Sequence, residues 1–166
     1  MYFVLDINVI RGCNLNCSYC FENDNEFEYI TSKTLKSIDK FIKNIFKSNW
    51  FNKNISNQIR SFDGLLLQIW GGEPSLNFHA IKHLLEKYKN SQFIEFIIFT
   101  NGVFFNKELK EYLKNYESKH KLKIQISYDG QFLQEKNRPH KKNINVTKDI
   151  FKNIEFLNSI RNRYYN

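Results

Sequence analysis

The hydrophobic positions of this chain recur with two alternating periods, and this pattern predicts strands and helices in turn. Residues 3–10 alternate apolar and polar positions, so a strand there would carry Phe3, Leu5, Ile7 and Val9 on one face. A helix is predicted from about Thr31, because threonine is favoured at helix N-caps. Its apolar face would be formed by residues at helical spacing, namely Leu35, Ile38, Phe41, Ile42, Ile45 and Phe46.

The same alternation follows three more times, with strands predicted at 65–70, 93–99 and 122–127. The 65–70 segment is apolar almost throughout, which favours a strand buried on both faces. A helix follows each strand, and the last two begin near Asn106 and Thr147. The apolar faces of these three helices would carry Ile81, Leu84, Leu85, Tyr88, Leu109, Tyr112, Leu113, Tyr116, Ile150, Phe151, Ile154 and Leu157.

Two polar stretches separate the first two strands from the first helix. Residues 21–29 follow the cysteines and predict a loop. Residues 49–63 are rich in asparagine and predict a second loop or irregular insertion, with Trp50 and Phe51 capping a helix end against the core.

Four strand–helix units in chain order predict an α/β fold with a parallel sheet and right-handed crossovers, in one domain spanning residues 1–166. Every unusual motif comes just after a strand. Because ligands of parallel α/β folds bind outside the carboxyl ends of the strands, we expect these loops to meet at one site along that edge of the sheet, which we call the rim. The motifs are the cysteine segment 13–20, Gly71-Gly72-Glu73-Pro74, Thr100-Asn101-Gly102 and Ser127-Tyr128-Asp129-Gly130.

The composition favours a globular protein with its own core, since 42% of the 166 residues are hydrophobic and 16% are aromatic. No apolar run approaches the roughly 18 residues of a membrane span, and the first residues lack the pattern of a signal peptide. We therefore expect a cytoplasmic protein. In that reducing compartment, clustered cysteines bind metal or do redox chemistry more often than they form disulfides.

The net charge of +8 raises nucleic acid as a partner. The lysines, however, are spread over every predicted helix and form no stripe. The densest basic group, Arg138 with His140, Lys141 and Lys142, is short and lies in a predicted loop. The charge therefore favours a general composition bias over a nucleic-acid surface.

All three cysteines of the chain, Cys13, Cys17 and Cys20, lie within eight residues and are spaced C-x3-C-x2-C. Three thiolates can hold three irons of a four-iron cluster, whose fourth iron then stays open to another ligand. The number three is therefore suitable if a substrate or cofactor takes the fourth position.

Other metal and redox sites explain the cysteines less well. A structural zinc site needs a fourth ligand, and the histidines at 79, 83, 120 and 140 are remote in sequence. A C-x-x-C redox pair of Cys17 and Cys20 would leave Cys13 unexplained. His79 and His83 have a metal-ligand spacing but lack the glutamate of H-E-x-x-H, so they are interpreted as a solvated helix face.

The Gly71-Gly72-Glu73-Pro74 motif combines two glycines, which let a backbone approach a ligand closely, with a carboxylate at a strand end. Beside a cluster with an open iron, this carboxylate would suit a ligand's ammonium group. Ser127 and Arg138 would complement it by binding the ligand's carboxylate. A tight strand-to-helix turn is the alternative for the glycine pair. For Asp129, a ligand contact and an Asp-Gly turn both stay open.

Read together, these motifs resemble the radical S-adenosylmethionine (SAM) superfamily. The resemblance lies in C-x3-C-x2-C with an aromatic residue before the last cysteine, followed by GGEP. With Thr100-Asn101-Gly102, Ser127-x-Asp129-Gly130 and Arg138-Pro139, the chain most resembles the peptide-modifying branch. That branch includes the anaerobic sulfatase-maturating enzymes and the maturases with a C-terminal SPASM extension. The resemblance covers about residues 3–140.

The resemblance implies that Cys13, Cys17 and Cys20 ligate a [4Fe–4S] cluster and that SAM chelates its fourth iron. An electron from a flavodoxin- or ferredoxin-like donor would then cleave SAM to methionine and a 5′-deoxyadenosyl radical, which abstracts hydrogen from a peptide or protein. The residues implied in SAM binding are Tyr19 near the adenine, Gly71, Gly72 and Glu73 at the methionine ammonium, Ser127 and Arg138 at the methionine carboxylate and ribose, and Asn101 on the same rim.

The chain departs from the superfamily in its extent. A complete core has six strand–helix units, whereas four are predicted here, and no cysteine for an auxiliary cluster follows Cys20. We therefore expect an incomplete (β/α)6 partial TIM barrel, truncated after the fourth unit and lacking the SPASM extension, and we assign no catalytic acid or base. Three alternatives stay open: a catalytically deficient cluster-binding fragment that needs a partner, a radical SAM enzyme acting on RNA or a nucleoside, and a zinc-binding module.

Overall fold

In the computed structural model the described residues are 2–22, 26–47, 64–116 and 122–161. A short 3-10 helix, Pro74–Asn77, follows the fourth of their strands. In chain order, their strands and α-helices are β1 (Tyr2–Asn8), β2 (Ile10–Arg11), β3 (Glu28–Tyr29), α1 (Ser32–Lys47), β4 (Gly64–Trp70), α2 (Phe78–Tyr88), β5 (Ile94–Thr100), α3 (Lys107–Asn115), β6 (Leu122–Ile126), α4 (Gln134–Asn137) and α5 (Thr147–Arg161).

The four long strands form one sheet in the order β1-β4-β5-β6, and every neighbouring pair is parallel. The register places Ile7 beside Ile69 and Ile69 beside Ile98, so the buried residues of adjacent strands share one face. Each new unit adds its strand next to the previous one, as in the wall of a barrel. The predicted parallel α/β fold is confirmed, and its barrel is not closed.

The main hydrophobic core lies between this sheet and the helices α1 and α2. Leu65, Leu67 and Ile69 of β4 are wholly buried and pack with Leu35 and Ile42 of α1. Alternate residues of a strand point to opposite faces, so this burial follows directly from the strand period of two. The core therefore holds the sheet by one face.

The opposite face of the sheet is only partly covered. On β4, Leu66, Gln68 and Trp70 are half-buried, and on β1 Asp6 and Asn8 are exposed. The expectation that β4 is buried on both faces is therefore wrong. The physical reason is that the described helices pack against the other face, which leaves this one open for further chain or a ligand.

The first strand is shorter than predicted. β1 ends at Asn8, and the chain leaves the sheet after Val9. Residues 10–11 then pair antiparallel with residues 28–29. The segment 21–29, expected to be a loop, thus contains the strand β3. Two-residue strands are too short to show a hydrophobic period, so the sequence pattern cannot reveal them.

The predicted helix starts are confirmed by their caps. The hydroxyl of Thr31 accepts the N–H of Thr34 at 3.0 Å at the start of α1. The side-chain oxygen of Asn106 accepts the N–H of Leu109 at 2.7 Å at the start of α3. Each bond satisfies a backbone donor that the helix itself leaves unpaired.

A polar contact joins α1 to α2. His79 is exposed, as expected, but the interpretation of His83 as solvated is wrong. The Nε2 atom of His83 lies 3.0 Å from Oδ2 of Asp39, and the Tyr88 hydroxyl donates to Oδ1 of Asp39 at 2.7 Å. Burial and the bond to Asp39 raise the pKa of Tyr88, so its hydroxyl stays a proton donor at physiological pH.

Some predictions fall outside the described residues, namely the loop at 49–63, the capping role of Trp50 and Phe51, and the placement of His120. Among the helices that the structure describes, none combines the length and apolar content that crossing a bilayer would require.

Replacing Asp39 by alanine tests the contribution of the α1–α2 contact. The Tyr88 hydroxyl and the His83 ring would each lose a partner in a half-buried place, so we expect the free energy of unfolding to fall by about 1–3 kcal/mol. Chemical denaturation followed by circular dichroism measures the change.

The matched control is Asp149→Ala, because Asp149 is an exposed carboxylate whose ion pair with Lys152, at 3.5 Å, lies on the surface. Its removal should cost less than about 1 kcal/mol. Equal losses in the two variants would contradict a special role for Asp39.

Candidate functional site

The loops that follow the four parallel strands meet at one edge of the sheet. The N–H of Gly72 donates to the carbonyl of Ile10 at 2.9 Å, and the N–H of Glu73 donates to the carbonyl of Gly12 at 3.2 Å. The N–H of Ser127 donates to the carbonyl of Thr100 at 2.9 Å. These backbone bonds join the segment after β1 to that after β4, and the end of β5 to the segment after β6. The Glu73 carboxylate links the two pairs by accepting the N–H of Asn101, and the predicted convergence is confirmed.

The glycine pair after β4 is required by a close approach of two backbone segments. A Cβ atom on Gly72 would lie 2.2 Å from the carbonyl oxygen of Gly12, and one on Gly71 would lie 2.3 Å from that of Ile10. The partner in this approach is the segment that enters the cysteine loop, residues 12–22. The sequence predicted that these glycines allow close approach to a ligand, whereas the groups that approach them here are backbone carbonyls about 60 residues away in the chain.

Glu73 is buried, with 1% of its surface exposed. Its Oε1 accepts the N–H of Ser75 at 3.0 Å and the hydroxyl of Thr100 at 2.6 Å, and its Oε2 accepts the N–H of Asn101 at 2.7 Å. Burial raises the pKa of this carboxyl group, and the three donors oppose that rise. A carboxylate has about four acceptor sites, so one remains for a further donor, on Oε2.

Asn101 connects the buried carboxylate to the cysteine loop. Its backbone N–H bonds to Glu73, while its side-chain NH2 donates to Oδ1 of Asn14 at 2.8 Å and lies 3.6 Å from Sγ of Cys13. The oxygen of the same amide accepts the N–H of Val103 at 2.9 Å, which fixes the side-chain orientation. Asn101 therefore lies on the predicted rim, facing the first cysteine.

The three thiols are free, with Cys13 and Cys17 half-buried and Cys20 exposed. The Sγ of Cys13 also accepts the N–H of Leu15 at 3.4 Å. Burial raises the pKa of Cys13 to about 11, with the Leu15 N–H opposing. Burial also raises the pKa of Cys17, and the positive charge of Arg138 opposes that rise.

This donor set fits an iron–sulfur cluster. Cluster ligands are thiolates, and N–H groups directed at sulfur are among the means by which proteins hold and tune them. Both kinds of group are present at Cys13. Within the described ranges, no three His, Cys, Asp or Glu side chains converge closely enough to hold a single metal ion.

The cysteine loop runs antiparallel to residues 137–141, which follow α4. The N–H of Asn16 donates to the carbonyl of Pro139, and the N–H of Ser18 donates to that of Asn137, both at 2.8 Å. His140 faces Leu15 across an antiparallel bridge. His140 is remote from the cysteines in sequence, and no local sequence pattern predicts this pairing.

Three predicted or undecided residues form one polar cluster beside the cysteine loop. The Tyr19 hydroxyl donates to Oδ1 of Asp129 at 2.7 Å and accepts an N–H of the Arg138 guanidinium at 3.0 Å. Arg138 lies 3.5 Å from the same oxygen of Asp129. Burial alone would raise the pKa of Asp129, but its bonds to Tyr19 and Asn137 and the charge of Arg138 lower it.

One donor of this cluster lacks a partner, and a second polar residue lies beside it. The Nε of Arg138 is buried and has no hydrogen-bond partner among the described residues. Ser127 is half-buried, and its backbone is fixed by the bond to Thr100. The structure thus brings Tyr19, Ser127 and Arg138 to the rim that the sequence predicted.

Gly72→Ala tests how much the site depends on the close backbone approach. The new Cβ must displace the Gly12 carbonyl, so we expect the free energy of unfolding to fall by more than about 3 kcal/mol. Chemical denaturation of the metal-free chain provides the measurement.

Gly130→Ala is the control, because Gly130 has a φ of +88° but nothing within 4 Å of an added Cβ. The free energy of unfolding of Gly130→Ala should fall by only about 1–2 kcal/mol, which is the cost of placing a side chain on a left-handed backbone. A Gly72→Ala variant no less stable than this control would refute the packing argument.

Two relatives of known sequence match nearly the whole chain. An uncharacterized protein of Methanocaldococcus jannaschii is 30% identical over an alignment of 159 positions, gaps included, that covers 93% of this chain and 48% of that protein. The radical SAM cyclopropyl synthase TigE of Paramaledivibacter caminithermalis is 28% identical over an alignment of 177 positions, gaps included, that covers 95% of this chain and 33% of that enzyme. The chain therefore spans about half or less of the length of these relatives.

Solved structures of an anaerobic sulfatase-maturating enzyme have the same fold. Native anSMEcpe with bound AdoMet and the Kp18Cys peptide superposes with a TM-score of 0.67 at 22% identity, covering 95% of this chain and 41% of that one. Native anSMEcpe with bound AdoMet gives a TM-score of 0.65 at 21% identity. The expected radical SAM core fold is thereby confirmed.

Most of the chain also matches a known protein family. Residues 7–149 match the family described as the 4Fe-4S single cluster domain. That range includes the cysteine loop, the glycine pair with Glu73, and the polar cluster of Tyr19, Asp129 and Arg138. The chain belongs to the 4Fe-4S single cluster domain family, and its fold is that of a radical SAM core.

Proposed function

We propose that this chain binds a [4Fe–4S] cluster through Cys13, Cys17 and Cys20, binds SAM beside it, and serves the radical modification of a peptide or protein. The observation that carries the proposal is the continuous contact from buried Glu73 through Asn101 to the sulfur of Cys13. It joins a group suited to a ligand's ammonium to a group suited to iron. When bound, the two cofactors together would supply a 5′-deoxyadenosyl radical on one-electron reduction.

The chain's own residues would prepare the cysteines for the cluster. Thiols must lose their protons to bind iron, and buried Cys13 holds its proton tightly without metal. The N–H of Leu15 and the amide of Asn101 favour the thiolate of Cys13, while the charge of Arg138 favours that of Cys17. Cys20 is exposed and therefore accessible to incoming iron.

The methionine part of SAM has an ammonium and a carboxylate, and the rim offers a partner for each. The remaining acceptor site of Glu73 and the backbone at Gly71 and Gly72 would bind the ammonium. The unpaired Nε of Arg138 and the hydroxyl of Ser127 would bind the carboxylate and ribose region.

The two other implied SAM residues differ in how they would act. Tyr19 is 57% exposed, which suits stacking of its ring on the adenine. Asn101 is buried and bonded to the cysteine loop, so it would orient the site from beneath.

Two observations support a peptide or protein as the substrate. The structurally similar anSMEcpe was solved with a bound peptide, and the relative TigE is a radical SAM enzyme. The open face of the sheet, which includes Gln68 and Trp70, provides a surface beside the rim. The electron donor would be a flavodoxin- or ferredoxin-like protein.

A second candidate is a cluster-binding domain that turns over only with additional chain or a partner. In the described ranges, β1 and β6 each pair on one side alone, so the sheet has two free edges. The chain also spans only 41% of the structurally similar enzyme.

One experiment separates these candidates. The chain is reconstituted anaerobically with iron and sulfide, reduced with dithionite in the presence of SAM, and assayed for 5′-deoxyadenosine. Formation of 5′-deoxyadenosine supports the radical function of this chain. A cluster without 5′-deoxyadenosine supports the second candidate, and failure to assemble a cluster overturns both.

Two substitutions should separate cluster binding from SAM binding. Cys17→Ala should abolish the cluster, because two thiolates remain for three irons. Glu73→Gln should leave iron and sulfide content unchanged but weaken SAM binding by about tenfold or more, because it removes a buried charge opposite the ammonium. Iron analysis and titration calorimetry with SAM give the two readouts.

Glu111→Gln provides the control, since Glu111 is an exposed carboxylate on α3. It should change neither quantity. Loss of iron in Glu73→Gln would show instead that Glu73 chiefly holds the loops in place, and a cluster that survives Cys17→Ala would sink the ligand assignment.

A further inference from the structure

The second half of the cysteine loop has few anchors. Residues 14–18 are held by backbone bonds to residues 137–141. Cys20, by contrast, is bonded within the loop itself: its N–H donates to the carbonyl of Cys17 at 3.1 Å, and its thiol donates to the carbonyl of Glu22 at 3.2 Å. Beyond Ser18 the described contacts are made by side chains. Phe21 is 83% exposed, with its ring 6.3 Å from that of Trp70, and Glu22 accepts an exposed hydrogen bond from Asn8.

Tyr19 is the strongest of these side-chain anchors, and it lies between Cys17 and Cys20. Its hydroxyl bonds to the Asp129 carboxylate at 2.7 Å and to the Arg138 guanidinium at 3.0 Å. Both bonds involve a charged partner, and such bonds are about twice as strong as neutral ones. Fixing Tyr19 therefore fixes the backbone that separates the last two thiols.

Asp129 is itself held from the opposite side. Its Oδ2 accepts the amide of Asn137 at 3.1 Å, and its backbone N–H donates to Gln134 at 3.1 Å. The carbonyl of the same Asn137 accepts the N–H of Ser18. One residue thus holds both Asp129 and the first half of the cysteine loop, so the contacts support one another.

We propose that Asp129 is a positioning residue for the cysteine loop, holding Tyr19 so that Cys17 and Cys20 are set apart correctly before any cofactor binds. Both carboxylate oxygens of Asp129 are bonded within the protein, so the residue does more than form an Asp-Gly turn. The proposal rests on the proposed function only in one respect, namely that the loop is positioned in order to bind a cluster. The bonds from the Tyr19 hydroxyl to Asp129 and Arg138, called the tether below, exist in the metal-free chain, where their effect can be measured directly.

The benefit of such a tether is a smaller ordering cost when the cluster forms. A flexible loop must lose conformational entropy when it brings three thiolates together. A loop that is already ordered has lost part of that entropy before the cluster binds. The same tether leaves the Tyr19 ring free, since only its hydroxyl is bonded. A substitution can therefore remove the hydroxyl bonds and keep the aromatic ring.

The test compares amide hydrogen exchange in the metal-free full chain for wild type, Asp129→Asn, Tyr19→Phe and the double variant. The reporter is the Cys20 amide, whose bond to the Cys17 carbonyl closes the turn. We expect exchange about tenfold faster in Tyr19→Phe, which loses both charge-assisted bonds of the hydroxyl. We expect a smaller, several-fold increase in Asp129→Asn, which removes the charge and keeps the bond between Tyr19 and Arg138. We expect the double variant to match Tyr19→Phe, because the bond that Asp129→Asn weakens is already absent without the Tyr19 hydroxyl.

Two outcomes would overturn the proposal: unchanged exchange at Cys20 in both single variants, or effects that multiply in the double variant. Amides of β4 and β5 monitor the fold, and Asp149→Asn controls for loss of a surface carboxylate. If Asp129→Asn loosens the whole domain, Tyr19→Phe decides, because it removes one oxygen from a largely exposed side chain.

A second readout links the tether to the cluster. After reconstitution, iron release to a chelator should be several-fold faster in Tyr19→Phe than in wild type, although Phe retains the ring. Equal release rates would overturn the link. Failure of wild type to assemble a cluster would contradict the proposed function alone, since the exchange measurement needs no metal.

Discussion

The contact between the backbone at Gly12 and the backbone at Gly72 determines the geometry of the whole rim. A side chain on Gly72 would lie within 2.2 Å of the Gly12 carbonyl, and one on Gly12 would meet the carbonyl of Glu26 at 2.8 Å. The cysteine loop can start beside the end of β4 only because Gly72 lacks a side chain, and the lack of one on Gly12 admits residues 26–27 on its other side. From this contact the N–H of Glu73 is aligned with Gly12, and its carboxylate is directed inward to Thr100.

The part of the fold that local patterns encode was predictable. Strand and helix periods, together with the caps Thr31 and Asn106, give the order of the units, and that order dictates a parallel sheet whose loops share one edge. The convergence of the cysteines with Glu73 and Asn101 follows from this topology alone. When a motif follows each of several parallel strands, the motifs are therefore predicted to lie close together in space, even when each motif is weak by itself.

What the sequence did not reveal depends on contacts between distant residues. The pairing of His140 with Leu15 and the bond of His83 to Asp39 leave no periodic signal. The same holds for the partner of the glycine pair and for Asp129, whose Asp-Gly sequence is compatible with a simple turn. In each case the residue type showed that a polar or close contact was possible, and only the fold determined which group supplies it.

The electrostatics of the rim give the proposed ligand a direction. Glu73 acts on the Cys13 side of the loop, and Arg138 acts on the Cys17 side. Arg138 has its charge compensated by Asp129, whereas no described side chain forms an ion pair with Glu73. A buried anion held only by neutral donors is costly, and a cation placed at its free acceptor site would offset that cost. A ligand with an ammonium and a carboxylate close together matches this arrangement, since each end meets the opposite charge. The amino-acid end of SAM has this form, so the charge pattern supports its orientation across the cysteine loop.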